Sequence, residues 1–207
     1  MAPISDAVVV DVLRRVDRLT APVIRRVGRP PALPQEERDM WWAHRVSRVV
    51  AGVSAAPRFV GKLADLLPLQ NTVGTAVQSI VVLGVAGEHG VTDRAERVSL
   101  LARVLLDRDL PADRVEPLLV HEKGTYREDA FGFGKGRTGP LRAIWRTSRL
   151  LARIDDALDA RPKGKLRHRA LANLPVVGVL GGYASEREGL RRAATRAAAV
   201  LHGSVSR

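Results

Sequence analysis

Apolar residues recur three and four positions apart along much of the chain, which is the spacing of one face of an α-helix. Valines and leucines follow it through the first 27 residues, behind Ser5, a side chain suited to capping a helix. Residues 28–34, GRPPALP, interrupt the pattern because proline does not fit a helix interior. We therefore predict an amphipathic helical arm with a proline-rich linker over residues 1–34 and a helical bundle domain over residues 35–207. Arginines cover much of the rest of the first helix, so a helix lying on a membrane surface is the alternative to one packed on the bundle.

The segment from Leu66 to Gly87 has no charged residue in 22 positions, although 27% of the chain is charged. A gap of this length is typical of a segment that is covered on all sides. We predict a buried helix over residues 72–88, ended by Gly90, since glycine readily takes the left-handed conformation that ends a helix. Pro68 shortens the apolar run below the ~20 residues that cross a bilayer. A core helix is the favoured interpretation, and a re-entrant membrane segment is the alternative.

Other helices are predicted from their periodicity and their ends. Trp41 and Trp42 lie about 100° apart on a helix, so one belongs in the core and the other is a candidate anchor at an interface. Asp93 and Glu96 have the spacing of a capping box. The predicted helices besides the first and the central one cover residues 36–57, 59–67, 92–110, 112–120, 141–159 and 173–203. The fold class is therefore all-α, a bundle of about seven helices around a charge-poor central pair.

The composition narrows the classes of function. The chain has no cysteine, which excludes disulfides, thiolate metal sites and cysteine nucleophiles. The first residues contain acids and arginines where a signal peptide has a long apolar run. We therefore expect a cytoplasmic protein, with peripheral contact at the inner membrane face as a further option.

The formal net charge is +12, and it is unevenly distributed. Residues 135–169 contain eleven basic and three acidic side chains, a net charge of +8. Arginines on one face of the helix 141–159 and the basic turn after it form a predicted anion-binding face. Its members are Arg142, Arg146, Arg149, Arg153, Lys163, Lys165, Arg167 and Arg169. Lys135 and Arg137 lie in the glycine-rich segment 132–139, a predicted loop that lacks Walker spacing but offers possible anion contacts.

Two charge-poor segments resemble a known family. The first is VVLGVAGEHGV, residues 81–91, and the second is LPVVGVLGG, residues 174–182, which opens a long terminal helix. In this order they resemble the EcsC-like family of bacterial helical proteins. The resemblance implies an accessory role near membrane transport or secretion, with no catalytic residues to assign.

Glycine spacing in the same two segments makes a separate prediction. Gly178 and Gly182 have the spacing that lets two helix backbones approach closely. Gly84 and Gly87 are the matching small residues on the central helix. We predict that the two charge-poor helices pack against each other at these glycines.

Candidate catalytic groups are few. Asp155, Asp156 and Asp159 form a DDxxD pattern, the type that holds magnesium and a diphosphate in isoprenoid synthases. Pairing of these acids with Arg153 and Arg161 is the favoured interpretation, because no second acidic motif accompanies them. The five histidines show no metal-binding spacing, and no sequence pattern pairs a serine or histidine with an orienting acid.

These observations together predict a non-enzymatic accessory protein without a cofactor or metal. We expect its basic helix face to bind the inner membrane face or an acidic protein partner. A nucleic-acid-binding protein using the same arginines is the alternative. A magnesium-dependent diphosphate enzyme is a third possibility.

Overall fold

The structure is a computed structural model that describes residues 4–54, 70–121, 140–152, 154 and 178–205. Within these ranges the chain forms seven α-helices, so the predicted all-α class is confirmed. Their bounds are α1 Asp6–Val27, α2 Gln35–Ser54, α3 Gln70–Glu88, α4 Arg94–Leu106, α5 Ala112–His121, α6 Pro140–Leu151 and α7 Gly178–Val205.

Helix α3 lies at the centre of the bundle. It packs against α1, α2, α4, α6 and α7, and every side chain from residue 74 to residue 86 is buried. A helix covered on all sides has no surface on which a charge stays hydrated, which explains the uncharged segment. The core-helix interpretation is confirmed. Within the described ranges, no helix combines the length and the apolar content that a membrane crossing requires.

The turn after α3 forms as the glycine predicts. Gly90 has a φ of 74°, and its N–H donates to the carbonyl of Gly87 at 3.2 Å. The N–H of Val91 donates to the carbonyl of Ala86 at 2.9 Å. These bonds satisfy carbonyls that the helix end would otherwise leave without donors. The turn also fixes His89 between the helix and the glycine.

Helix α1 is part of the same hydrophobic core. Val9, Leu13 and Val16 are fully buried, and the helix packs against α3, α4, α5 and α6. Its apolar face is therefore covered by protein, which favours packing on the bundle over a helix lying on a membrane. Asp17 is buried in this interface and pairs with Arg97 of α4, Nη2 to Oδ2 at 3.0 Å. The predicted division into an arm, residues 1–34, and a bundle domain, residues 35–207, is not tested by these contacts and stays a prediction.

The two neighbouring tryptophans of α2 differ in environment. Trp42 is 2% exposed and belongs to the core, whereas Trp41 is partly buried against the edge of the core. Their rings meet edge to face with centroids 5.3 Å apart. One tryptophan is in the core, as predicted, and the role of Trp41 as an anchor at an interface stays a prediction.

Helix ends agree with the capping pattern at one end of α4 and differ at the other. Asp93 Oδ1 accepts a hydrogen bond from the Glu96 N–H at 3.0 Å, so the predicted cap is confirmed. The helix ends at Leu106, earlier than Leu110, because Asp107 takes the left-handed conformation with a φ of 54°. Aspartate tolerates this conformation better than most residues, and here it provides the stop.

The long terminal helix is continuous. Helix α7 runs from Gly178 to Val205 without a break. Gly203, expected as a stop, lies inside the helix. Helix α7 packs against α2, α3 and α4, so the predicted contact between the two charge-poor helices is present.

Candidate functional site

The predicted basic face is partly described. On α6, Thr147, Ser148 and Leu151 are buried, whereas Arg149 is exposed and Arg146 is partly buried. The helix therefore turns its apolar side inward, as the periodicity predicts. Arg142 lies within α6, although its side chain is not among those described. The other members of the face and the two loop cations lie outside the described residues: Arg153, Lys163, Lys165, Arg167, Arg169, Lys135 and Arg137.

The aspartates of DDxxD also lie outside the described residues, so their pairing or metal binding stays a prediction. Of the predicted packing glycines, Gly84 is in close contact with a neighbouring helix, but its neighbour is Trp42 of α2. Gly87 is exposed, and a Cβ there would meet no described atom within 4 Å, so the described residues do not support its predicted role in helix packing. Gly178 and Gly182 lie in the first turns of α7, and their close packing stays a prediction.

Helices α2 and α7 run in opposite directions along a shared seam. Met40 of α2 contacts Thr195 of α7, and four residues later His44 contacts Arg191, four residues earlier on α7. Ala193, Ala194 and Ala197 line the buried side of α7, and these small side chains allow a close approach. Two groups of polar side chains lie at different positions along this seam.

The first group is a cluster of three arginines and one histidine that we call the His44 cluster: His44, Arg48, Arg187 and Arg191. Arg191 lies beside the imidazole, with Nε 3.2 Å and Nη2 2.9 Å from His44 Nε2. Arg48 Nε donates to the backbone carbonyl of His44 at 3.4 Å. Burial lowers the pKa of His44 below its usual value, and the positive charges of Arg191, Arg187 and Arg48 lower it further. His44 therefore stays neutral at pH 7 and accepts from Arg191.

The three arginines of this cluster are exposed on two adjacent helices. Guanidinium groups bind phosphate and carboxylate through paired N–H donors, so their convergence forms a surface suited to an oxyanion. Comparisons with protein-family models, curated proteins and solved structures give no match. The resemblance to the EcsC-like family therefore stays a prediction, and the interpretation of the site depends on its own geometry.

The second group, which we call the Asp39 cluster, contains Asp39, His89 and His202. His89 Nε2 lies 3.1 Å from Asp39 Oδ1 and 3.0 Å from Oδ2. The rings of His89 and His202 meet edge to face, with centroids 5.0 Å apart. One ligand-type atom from each of the three side chains lies within 4.8 Å of the others. Two imidazoles and a carboxylate at this separation form a donor set that suits a metal ion.

Three separate parts of the fold position the Asp39 cluster. Asp39 comes from the second turn of α2, His89 from the turn after α3 and His202 from the last turn of α7. Gln35 Nε2 donates to Asp39 Oδ1 at 3.0 Å and fixes the carboxylate. Arg38 donates to Gln35 and lies 4.0 Å from Glu88. Sequence spacing gave no indication of this cluster, because its members are distant along the chain and only the fold brings them together.

Proposed function

We propose that this protein is a non-enzymatic helical accessory protein that binds the phosphate groups of an anionic membrane surface through exposed arginines. The observation that carries the proposal is the His44 cluster, in which three exposed arginines from two helices lie near one neutral histidine, with Arg191 in contact with its imidazole. Arginines that repel one another lose part of this repulsion when an anion lies among them. Such an arrangement therefore favours an anionic ligand.

The binding free energy expected from three arginines is of the size needed for peripheral membrane contact. A basic residue near an anionic lipid surface contributes about 1 kcal/mol, so three arginines contribute roughly 3 kcal/mol. This corresponds to about a hundredfold preference for an anionic over a neutral surface. Contact through this cluster alone is thus weak and reversible. The predicted face that begins on α6, with Arg149 exposed, adds further cations and would increase the preference.

An anionic membrane and a nucleic acid both present phosphates, so the proposal is tested by comparing them at one salt concentration. Full-length protein is floated with neutral vesicles and with vesicles containing phosphatidylglycerol, and in parallel titrated with duplex DNA. We expect retention on the anionic vesicles and only weak, sequence-independent DNA binding. Retention should fall steeply as salt rises, because the Debye length shortens from about 10 Å at 0.1 M to about 3 Å at 1 M.

Two other outcomes would contradict the membrane proposal. Tight duplex binding without vesicle retention at physiological salt would favour nucleic-acid binding. Binding to neither would favour an acidic protein partner. The α6 contribution is tested by Arg146→Glu/Arg149→Glu, which should weaken vesicle binding while the helical circular dichroism stays unchanged.

A further inference from the structure

We propose that the Asp39 cluster is a binding site for a divalent transition metal of the zinc class, held by Asp39, His89 and His202. The site is independent of the proposed membrane contact, since none of its members belongs to the His44 cluster. Its donor set is the one found where a metal has three protein ligands and keeps a position open for water or another external ligand.

The distances in the cluster are close to those of a metal site. Zinc bonds of about 2.0–2.1 Å to nitrogen and oxygen place neighbouring ligand atoms about 3.3 Å apart in a tetrahedron. The pair formed by His89 and Asp39 already has such a distance, at 3.0–3.1 Å. All three ligand atoms lie within 4.8 Å, so only a small rotation of the remaining imidazole is needed. His202 is exposed at the end of α7, so its imidazole lies on the solvent side of the cluster.

The surroundings of the carboxylate also suit a metal ligand. Asp39 is 4% exposed, and the side chain of His89 is 12% exposed, so these two ligands are largely shielded from solvent. The hydrogen bond from Gln35 fixes one carboxylate oxygen, as outer partners of metal ligands commonly do. The exposed histidine on the opposite side provides the route by which the ion enters.

The hydrogen bond between His89 and Asp39 indicates how a metal ion would bind to the cluster. His89 Nε2 lies within hydrogen-bond distance of the Asp39 carboxylate, at the position where a metal ion would contact both ligands. A metal ion bound to Nε2 replaces this hydrogen bond, and a neutral imidazole then carries its single proton on Nδ1. Imidazole nitrogen with a single carboxylate favours zinc, nickel, copper or iron over magnesium and calcium, which prefer oxygen ligands.

A bound ion would join three parts of the fold that are distant along the chain. It would link the start of α2, the turn after α3 and the end of α7, and a ligand that binds only the folded state raises its stability. The test uses tag-free full-length protein treated with chelator and then titrated with ZnCl2 at pH 7.5. We expect saturable binding with one ion per chain, a higher melting temperature, and visible absorption bands of a four- or five-coordinate site when CoCl2 replaces zinc.

Variants separate this site from adventitious binding. His202→Ala removes an exposed ligand and should leave the helical content unchanged, while zinc affinity falls by at least tenfold. Gln35→Leu keeps all three ligands and should lower the affinity about ten- to a hundredfold, the usual effect of losing an outer partner. His44→Gln removes a histidine from the same helix pair, outside the cluster, and should bind zinc like the wild type.

Two results would overturn the proposal. The first is a wild-type protein whose melting temperature and cobalt spectrum do not respond to metal. The second is equal zinc affinity in the wild type and in His202→Ala, which would assign the binding to histidines elsewhere in the chain. In either case the cluster is a hydrogen-bonded contact between helices.

Discussion

The indole ring of Trp42 occupies the space where a side chain at Gly84 would begin. A Cβ at Gly84 would lie 2.8 Å from Cε2 of the ring and closer still to two other ring atoms. The tryptophan is buried to 98% of its surface, so the ring has little room to move away. Contact between the α2 indole and the α3 backbone thus sets the separation of these two helices.

Replacing Gly84 with alanine should destabilise the protein by about 1–3 kcal/mol, the usual cost of overpacking a core. Gly87→Ala is the matched control on the same helix, where a Cβ meets nothing within 4 Å. That variant should be neutral or more stable by up to about 1 kcal/mol, because alanine favours the helix over glycine. Urea denaturation followed by circular dichroism gives both values. Equal stability of the two variants would contradict the placement of Trp42.

Placing a charge at the centre of α3 should prevent folding. Val81 is fully buried, so Val81→Asp puts a carboxylate where neither water nor a cation reaches it. We expect loss of soluble expression. Val8→Asp is the control, since Val8 is 46% exposed on α1. A soluble Val81→Asp protein with an unchanged melting temperature would be incompatible with a central position for this helix.

The ion pair between Asp17 and Arg97 should contribute to stability because the aspartate is only 5% exposed. Arg97→Met leaves the carboxylate buried without this cation, and we expect a loss of about 1–3 kcal/mol. Arg103→Met on the same helix breaks an exposed pair with Asp109 and should change stability by less than about 1 kcal/mol. Adding Asp17→Asn to Arg97→Met should recover part of the loss. Equal effects of the two single variants, measured by urea denaturation, would mean that the buried pair is not formed.

His44 should titrate below its ordinary value of 6.5, because burial and the charges of Arg191, Arg187 and Arg48 disfavour its protonated form. The unfolded chain then binds more protons than the folded one as the pH falls below about 6.5, so the free energy of unfolding decreases in that range. The His44→Gln variant should lack this part of the decrease. Histidine titration by NMR should also show that Arg191→Met raises the pKa of His44. An unchanged pKa of His44 in Arg191→Met would contradict the electrostatic effect of Arg191 on this histidine.

Local pattern was sufficient to predict the seven described helices, though not all of their ends, whereas the predicted helix 59–67 lies outside the described residues. Asp93 caps α4 and the turn at Gly90 ends α3 through bonds that span three to five residues, so short spacings contain the information. The partner of Gly84 was not predictable in this way. Two glycines on α7 seemed the natural match, whereas a bulky indole on α2 fills the space.

The candidate sites depend on contacts between distant parts of the chain. His89 and Asp39 are 50 residues apart, and His44 and Arg191 are 147 apart, so motif spacing does not reveal either cluster. The excess of positive charge was evident from the sequence. That excess lies in residues 135–169 and supplies no member of the His44 cluster, whose arginines are brought together by the antiparallel packing of α2 and α7, which periodicity alone does not determine.

Vesicle flotation of two charge-reversal variants tests the proposed function most directly. Arg187→Glu/Arg191→Glu reverses two members of the His44 cluster, and Arg25→Glu/Arg26→Glu reverses two exposed arginines of α1. Both double variants change the net charge by the same amount, so a difference between them reports position rather than total charge. We expect the first to lose at least tenfold in binding to phosphatidylglycerol vesicles at 0.1 M salt, and the second to lose much less. Equal binding by the two variants, with unchanged circular dichroism, would contradict an anion-binding role for the His44 cluster.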